Sequence, residues 1–150
     1  MGSIDFRSGE SAVDLTGEVH HLPCCIKYNG PSSVSQYFKP KPTGVEVEDL
    51  KVEEAQFRGR RLQGTTIHMP EGYSGSVLGK KNLSKSEASS DFEDQSNCWE
   101  VNARFQSITT WNHDNLPSQD DAFLRSFHWI NVAKALHRPV TSDDLTKTGV

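Results

Sequence analysis

Cysteine is scarce in this 150-residue chain, with Cys24, Cys25 and Cys98 as its three instances. Their number is odd and two are adjacent, which argues against a secreted disulfide framework. No Cys-x-x-Cys pair occurs, so the usual spacing of a structural zinc site is missing. Apolar residues are also few, at 34%. No apolar run is long enough to span a bilayer, and the first residues have neither the basic lead nor the apolar stretch of a signal peptide. Basic residues are not in excess: 16 Lys and Arg stand against 20 Asp and Glu, a formal charge of −4. That balance excludes a strongly basic nucleic-acid binder. A P-loop and a Gly-x-Gly-x-x-Gly motif are both lacking, so nucleotide binding has no support. What remains is a domain with polar tails, or a subunit that completes its core with a partner, in a reducing compartment.

What is present is mostly strand pattern. Residues 1–18 are polar and read as a disordered lead. A single β-rich domain is expected over 19–139. Leu22, Cys24, Ile26 and Tyr28 alternate as in a strand with one buried face. Val34–Phe38 reads as another short strand, stopped by Lys39-Pro40-Lys41-Pro42. Val45–Val47 and Val52–Phe57 follow. Phe57-Arg58-Gly59-Arg60-Arg61-Leu62-Gln63-Gly64 suits a tight hairpin or a bulged strand. Thr65–Met69 and Tyr73–Leu78 continue the series. Residues 80–97 are polar and acidic, too lean to offset their ordering entropy, and read as a flexible insertion. The clearest strand is Trp99–Trp111, where Trp99, Val101, Ala103, Phe105, Ser107, Thr109 and Trp111 share one face.

After Pro117 the period changes. Phe123, Leu124, Phe127, Ile130, Ala133, Leu136 and His137 approximate one helical stripe. Ser118 is the candidate N-cap, with Asp120 and Asp121 suited to the positive helix end. Pro139 ends the helix, and 140–150 reads as a flexible tail. The expected class is therefore mainly β with a C-terminal helix, its strands barrel-like.

Chemistry finds little footing. The six histidines include the adjacent pair His20-His21, whose members face opposite sides of a strand and suit joint metal ligation poorly. The carboxylates sit in polar runs, not in apolar strand cores, as solvated faces do. A Cys98–His113 dyad has no local support. Arg58, Arg60 and Arg61 could grip phosphates through their forked donors, or serve a hairpin salt bridge. Trp99, Trp111 and Trp129 read as core or interface anchors.

Three blocks in order carry a resemblance. Val19-His20-His21-Leu22-Pro23-Cys24 leads to Asn29-Gly30-Pro31 and Tyr37-Phe38. Phe57-Arg58-Gly59-Arg60-Arg61-Leu62-Gln63-Gly64 leads to Pro70. Phe105, Thr110-Trp111 and Pro117 lead to Phe127-His128-Trp129 and Ala133-Lys134-Ala135-Leu136-His137. Together they resemble the family of C-type, non-catalytic subunits of ribonuclease H2, over roughly 19–140. The lead, Cys25, Arg61 and Val45–Glu54 depart from the pattern.

The resemblance implies a non-catalytic subunit that interweaves with the enzyme's B-type subunit in a triple-barrel platform. The catalytic, A-type subunit would dock there and bring the divalent metal, with no cofactor held in this chain. The complex would work in the nucleus, away from membranes. It would cleave RNA in RNA–DNA hybrids and incise at single ribonucleotides in DNA. Leu22, Cys24, Ile26, Phe57, Leu62, Gly64, Ile67, Trp99, Val101, Phe105 and Trp111 are expected in the shared core and interface. Phe127, Trp129, Leu136 and His137 are expected to pack the helix against one end. Arg58 and Arg60, around Gly59, are expected to hold the hairpin through carboxylates or carbonyls. Arg61, Gln63, Asp120, Asp121 and Arg125 are the candidates for contact with the catalytic chain. The rival readings are a stand-alone β-barrel that binds single-stranded nucleic acid through Trp99, Trp111 and the arginines, and a small hydrolase using Cys98 or the histidines.

Overall fold

The computed structural model describes the backbone of residues 5–80 and 98–140, and the side chains of 12–80 and 99–140. In chain order the strands are β1 (Asp5–Asp14), β2 (His20–His21), β3 (Lys41–Val47), β4 (Leu50–Phe57), β5 (Arg60–His68), β6 (Gly75–Lys80), β7 (Cys98–Phe105) and β8 (Ser107–His113). The helices are the single turn α1 (Val34–Tyr37) and the long α2 (Ala122–Leu136). The chain is thus mainly β with a C-terminal helix.

The alternation over 99–111 belongs to one extended run that bends at Gln106 and serves two sheets. β7 lies between β1 and β6 in a three-stranded sheet, and β8 lies in a five-stranded sheet of order β2-β8-β5-β4-β3. The neighbours bend with it. β1 and β2 run parallel to β7 and β8, while β6 and β5 run antiparallel to them. Bending an extended chain exposes backbone groups that need partners. Here the Gln106 N–H donates to Thr16 Oγ1 at 3.0 Å, and its carbonyl accepts the Met69 N–H at 2.8 Å. Val101 and Ala103 are buried and Asn102, Arg104 and Gln106 exposed, whereas past the bend Ser107, Thr109, Thr110 and Trp111 are all buried, because β8 is covered on both faces.

Two hairpins build the other half of the larger sheet. Glu48 and Asp49 have φ of 51° and 65° between β3 and β4, and Arg58 and Gly59 have 49° and 75° between β4 and β5. Positive φ at both central residues is the type I′ signature, which matches the twist of the flanking strands. The Phe57–Arg60 segment is therefore a tight hairpin, not a bulge.

Several sequence expectations are corrected. The lead is not disordered over Asp5–Asp14; it forms β1 along β7. Its anchor is backbone bonding, which needs no apolar alternation: Leu15 N–H donates to the Arg104 carbonyl at 2.8 Å. The strand expected over Leu22–Tyr28 does not form; pairing on β8 stops at His20–His21, because Pro23 has no N–H to extend the ladder. Val34–Phe38 forms α1, closed by Phe38 N–H on the Val34 carbonyl at 2.8 Å. Lys41-Pro42 does not break structure. Pro42 lies on the outermost strand β3, where a missing donor is tolerated, beside a register shift. Neither sheet closes into a barrel among the described residues; the five-stranded one ends on β2 and β3. The insertion over 81–97 and the tail from 141 lie outside the described residues.

The core sits against β8. Phe38, Ala55, Leu62 and Trp111 form one buried cluster, flanked by partly buried Leu22 and Phe57. Phe38 meets the Trp111 ring edge-on at 5.3 Å between centroids, a favourable aromatic geometry.

Candidate functional site

Trp111 is the fixed point around which the site is built. Its ring lies across Gly64 on β5, its direct neighbour in the register. A Cβ at Gly64 would stand 2.7 Å from the Trp111 ring and from the Thr110 carbonyl oxygen. Glycine is there to let an indole lie flat on the strand. Gly75 plays the same part beneath Phe105. Trp111 Nε1–H donates to His20 Nδ1 at 3.2 Å, which leaves the His20 proton on Nε2. Burial pushes the His20 pKa below its ordinary value, partly offset by the charge of Glu53.

The arginines of the hairpin separate. Arg61 donates from Nε to Glu54 Oε2 at 2.7 Å and pairs through Nη2 with the same oxygen. Arg60 points to the opposite face of β5, as the strand period requires. The Arg58 guanidinium lies over the Phe57 ring at 5.5 Å. The expectation that Arg58 and Arg60 hold the hairpin through carboxylates or carbonyls is corrected: among the described residues neither makes such a bond, and the carboxylate pair is made by Arg61. Arg58 and Arg60 instead line a hollow of about 300 Å³ with Pro23, Cys24, Cys25, Phe57, Leu62 and His113.

The helix entry is a second constellation. Glu48, in the β3–β4 turn, accepts from Ser118 Oγ at 3.0 Å and from Gln119 N–H at 2.8 Å. Asp121, not Ser118, is the N-cap residue, and its side chain makes no bond to the first turn of α2. Its carboxylate accepts from Asn112 Nδ2 at 2.7 Å and Ser118 N–H at 3.1 Å, which joins β8 to the helix entry. The first turn then docks through Phe123, stacked on His21 at 4.7 Å, and through buried Leu124. Ile67 and Phe127 line a hollow of about 440 Å³ beneath the helix.

The structure brings Leu22, Phe57, Leu62, Gly64 and Trp111 together, with Val101 buried and Trp99 and Phe105 half-buried on β7. Cys24 and Ile26 do not join them. Both are exposed, because the strand meant to turn them inward is absent. Trp129 and Leu136 are 66% and 76% exposed, and His137 is exposed too. They do not pack the helix within this chain, whose one buried helix residue is Leu124 in the first turn. Gln63 is half-buried; Asp120 and Arg125 are exposed. Trp111, at 2% exposure, offers no face on which a base could stack. Among the described residues no group of three or more His, Cys, Asp or Glu is placed to hold a metal. No helix among them is long and apolar enough to cross a membrane. The Cys98 side chain lies outside the described residues. Sequence reasoning missed Phe38 as core, assigned by its contacts, and Glu48 as the helix anchor.

A two-sheet frame, open among the described residues and with apolar side chains left at its rim, fits the class of proteins that work in contact with other chains. Residues 18–136 match the family described as ribonuclease H2 non-catalytic subunit (Ylr154p-like). The chain belongs to that family. It is 31% identical over 116 residues to the Schizosaccharomyces pombe protein C12B10.15c, covering 75% of this chain and 77% of that one. It is 26% identical to the C-type subunit of ribonuclease H2 from Mus musculus, over 93% and 92% of the two chains. With its counterpart in Bos taurus it shares 28%, over 83% of each. Membership implies a complex with other subunits and a non-catalytic role within it.

Proposed function

We propose that this chain is the C-type subunit of a heterotrimeric ribonuclease H2. It interweaves with a B-type subunit in a shared barrel platform, in the nucleus, and holds the catalytic A-type subunit in a stable complex. That catalytic chain carries the divalent metal. The complex cleaves RNA in RNA–DNA hybrids and incises at single ribonucleotides in DNA.

The observation that carries this reading is the unfinished surface. Among the described residues β3 and β6 end their sheets with unpaired edges. Apolar side chains near both edges stay exposed, among them Val45 at 49%, Val77 at 41% and Leu78 at 40%. Open edges invite pairing with another chain, and obligate interfaces resemble a core cut in half. Expressed alone, the chain is expected to self-associate or to melt without cooperativity. Co-expressed with B-type and A-type subunits, it is expected to purify as a complex of all three. That complex should cut a duplex carrying a single ribonucleotide. A sharp two-state melt as a soluble monomer would overturn the reading.

A further inference from the structure

The hollow beside the hairpin has a chemistry that assembly alone does not explain. Arg58, Arg60 and His113 converge on it, and no carboxylate is among its lining residues. Strand alternation sends Arg61 to the other face, where Glu54 neutralises it. Among the described residues Arg58 and Arg60 have no carboxylate at ion-pair distance, so the hollow keeps both charges. His113 Nδ1 lies 3.2 Å from Asp114 Oδ2, but Asp114 is itself 82% exposed.

The backbone adds a second observation. Arg58 has φ of 49°, a left-handed conformation that favours Asn or Gly at this turn position. A long cationic side chain is held there against the steric preference of an L-residue. The Phe57 ring beneath the guanidinium fixes the direction in which it points. The turn itself asks for no cation at this position, and the residue that stands there lines a hollow without a carboxylate.

The geometry points to a phosphate site: the hollow of Arg58, Arg60 and His113 grips a phosphodiester of the nucleic acid that the assembled complex works on. Two guanidinium forks suit the non-bridging phosphate oxygens, which accept hydrogen bonds in pairs. The chain's negative net charge does not oppose this, because a phosphate within a Debye length responds to the nearest charges. The proposal rests on the functional reading above.

The test uses the co-expressed complex and a DNA duplex with a single embedded ribonucleotide. Arg58→Asn combined with Arg60→Gln removes both charges, and Asn suits the left-handed position, so the hairpin is kept. Lys51→Gln, on the exposed face of β4, is the control for loss of a surface charge. The double variant is expected to assemble and to keep its kcat. Its KM should rise at least about fivefold, with the log–log salt slope reduced by about 1 per lost phosphate contact. The control should leave both unchanged. Wild-type KM and slope in the double variant would overturn the proposal. Loss of either partner on purification would also overturn it, by making the arginines interchain contacts. Failure of the wild-type chain to assemble would sink the functional reading itself, which separates the two.

Discussion

Gly59 and Gly64 stand five residues apart and are glycine for different reasons. Gly59 has φ of 75° with open space around its missing Cβ. A β-branched residue there meets no atom but is held in a left-handed conformation, so Gly59→Val costs about 1–2 kcal/mol through the backbone. Gly64 has no positive φ; its obstacle is Trp111. Gly64→Ala must displace a ring that is part of the core, which costs about 1–3 kcal/mol. Thermal melting of the assembled complex checks both, each variant shifting the midpoint down. An unchanged midpoint for Gly64→Ala would mean that the indole does not lie where it is placed.

His20 gives the same residue scale a pH dependence. Its folded pKa lies below its ordinary 6.5, first because burial penalises the charged form. Protonation would also place a proton on Nδ1, the atom that accepts from Trp111. The unfolded chain therefore takes up this proton first as the pH falls. The stability from neutral His20 is fully present above about 6.5 and is lost as the pH drops from there through the folded pKa. Denaturation midpoints measured between about pH 7.5 and 5 should show this fall, and His20→Gln should flatten it. An identical fall in the variant would assign it to other groups.

At the scale of elements, the β3–β4 hairpin and α2 form one mechanical unit. Glu48 lies 70 positions before Ser118 and accepts both the hydroxyl of Ser118 and the backbone N–H of Gln119. Each bond to an exposed carboxylate is worth about 0.5–1.5 kcal/mol. Glu48→Ala should leave the sheet intact and loosen the helix entry. Hydrogen exchange over 118–125 is the measurement, with faster exchange there and unchanged protection in β5 and β8. Equal protection in the variant would show that Phe123 and Leu124 alone seat the helix.

The elements also show what sequence periodicity can carry. The Trp99–Trp111 alternation, the hairpin at Arg58-Gly59 and the helix before Pro139 were all legible, because each depends on neighbours within a few residues. β1 was not. It is polar, runs parallel to β7, and is held by backbone bonds that leave no pattern in side chains. Leu22–Tyr28 misled in the opposite way, since alternation without a partner strand makes no ladder.

For the whole molecule, the low apolar content goes with a small buried core and exposed apolar side chains. Among the described residues the core cluster is small, the sheets end on open edges, and Trp129 and Leu136 of α2 face solvent. On the proposed function, burying them against partner chains at roughly 25 cal/mol per Å² would supply the stability that a small single core lacks. Trp129→Ala should accordingly change the isolated chain little and weaken the complex. The readout is partner retention on dilution, and equal retention would place Trp129 outside every interface.

The sequence by itself determined the class: mainly β with a C-terminal helix, a hairpin or bulge at the arginines, and the family through three ordered blocks. Those features are local, or are read from residue identity alone. Tertiary structure decided the rest. It split the long strand between two sheets, put Gly64 under Trp111 and Glu48 under the helix, and turned Arg61 to Glu54 while leaving Arg58 and Arg60 on the opposite face. These are meetings of residues far apart in the chain or on opposite faces of one strand. Only the path of the backbone in space settles which of them touch.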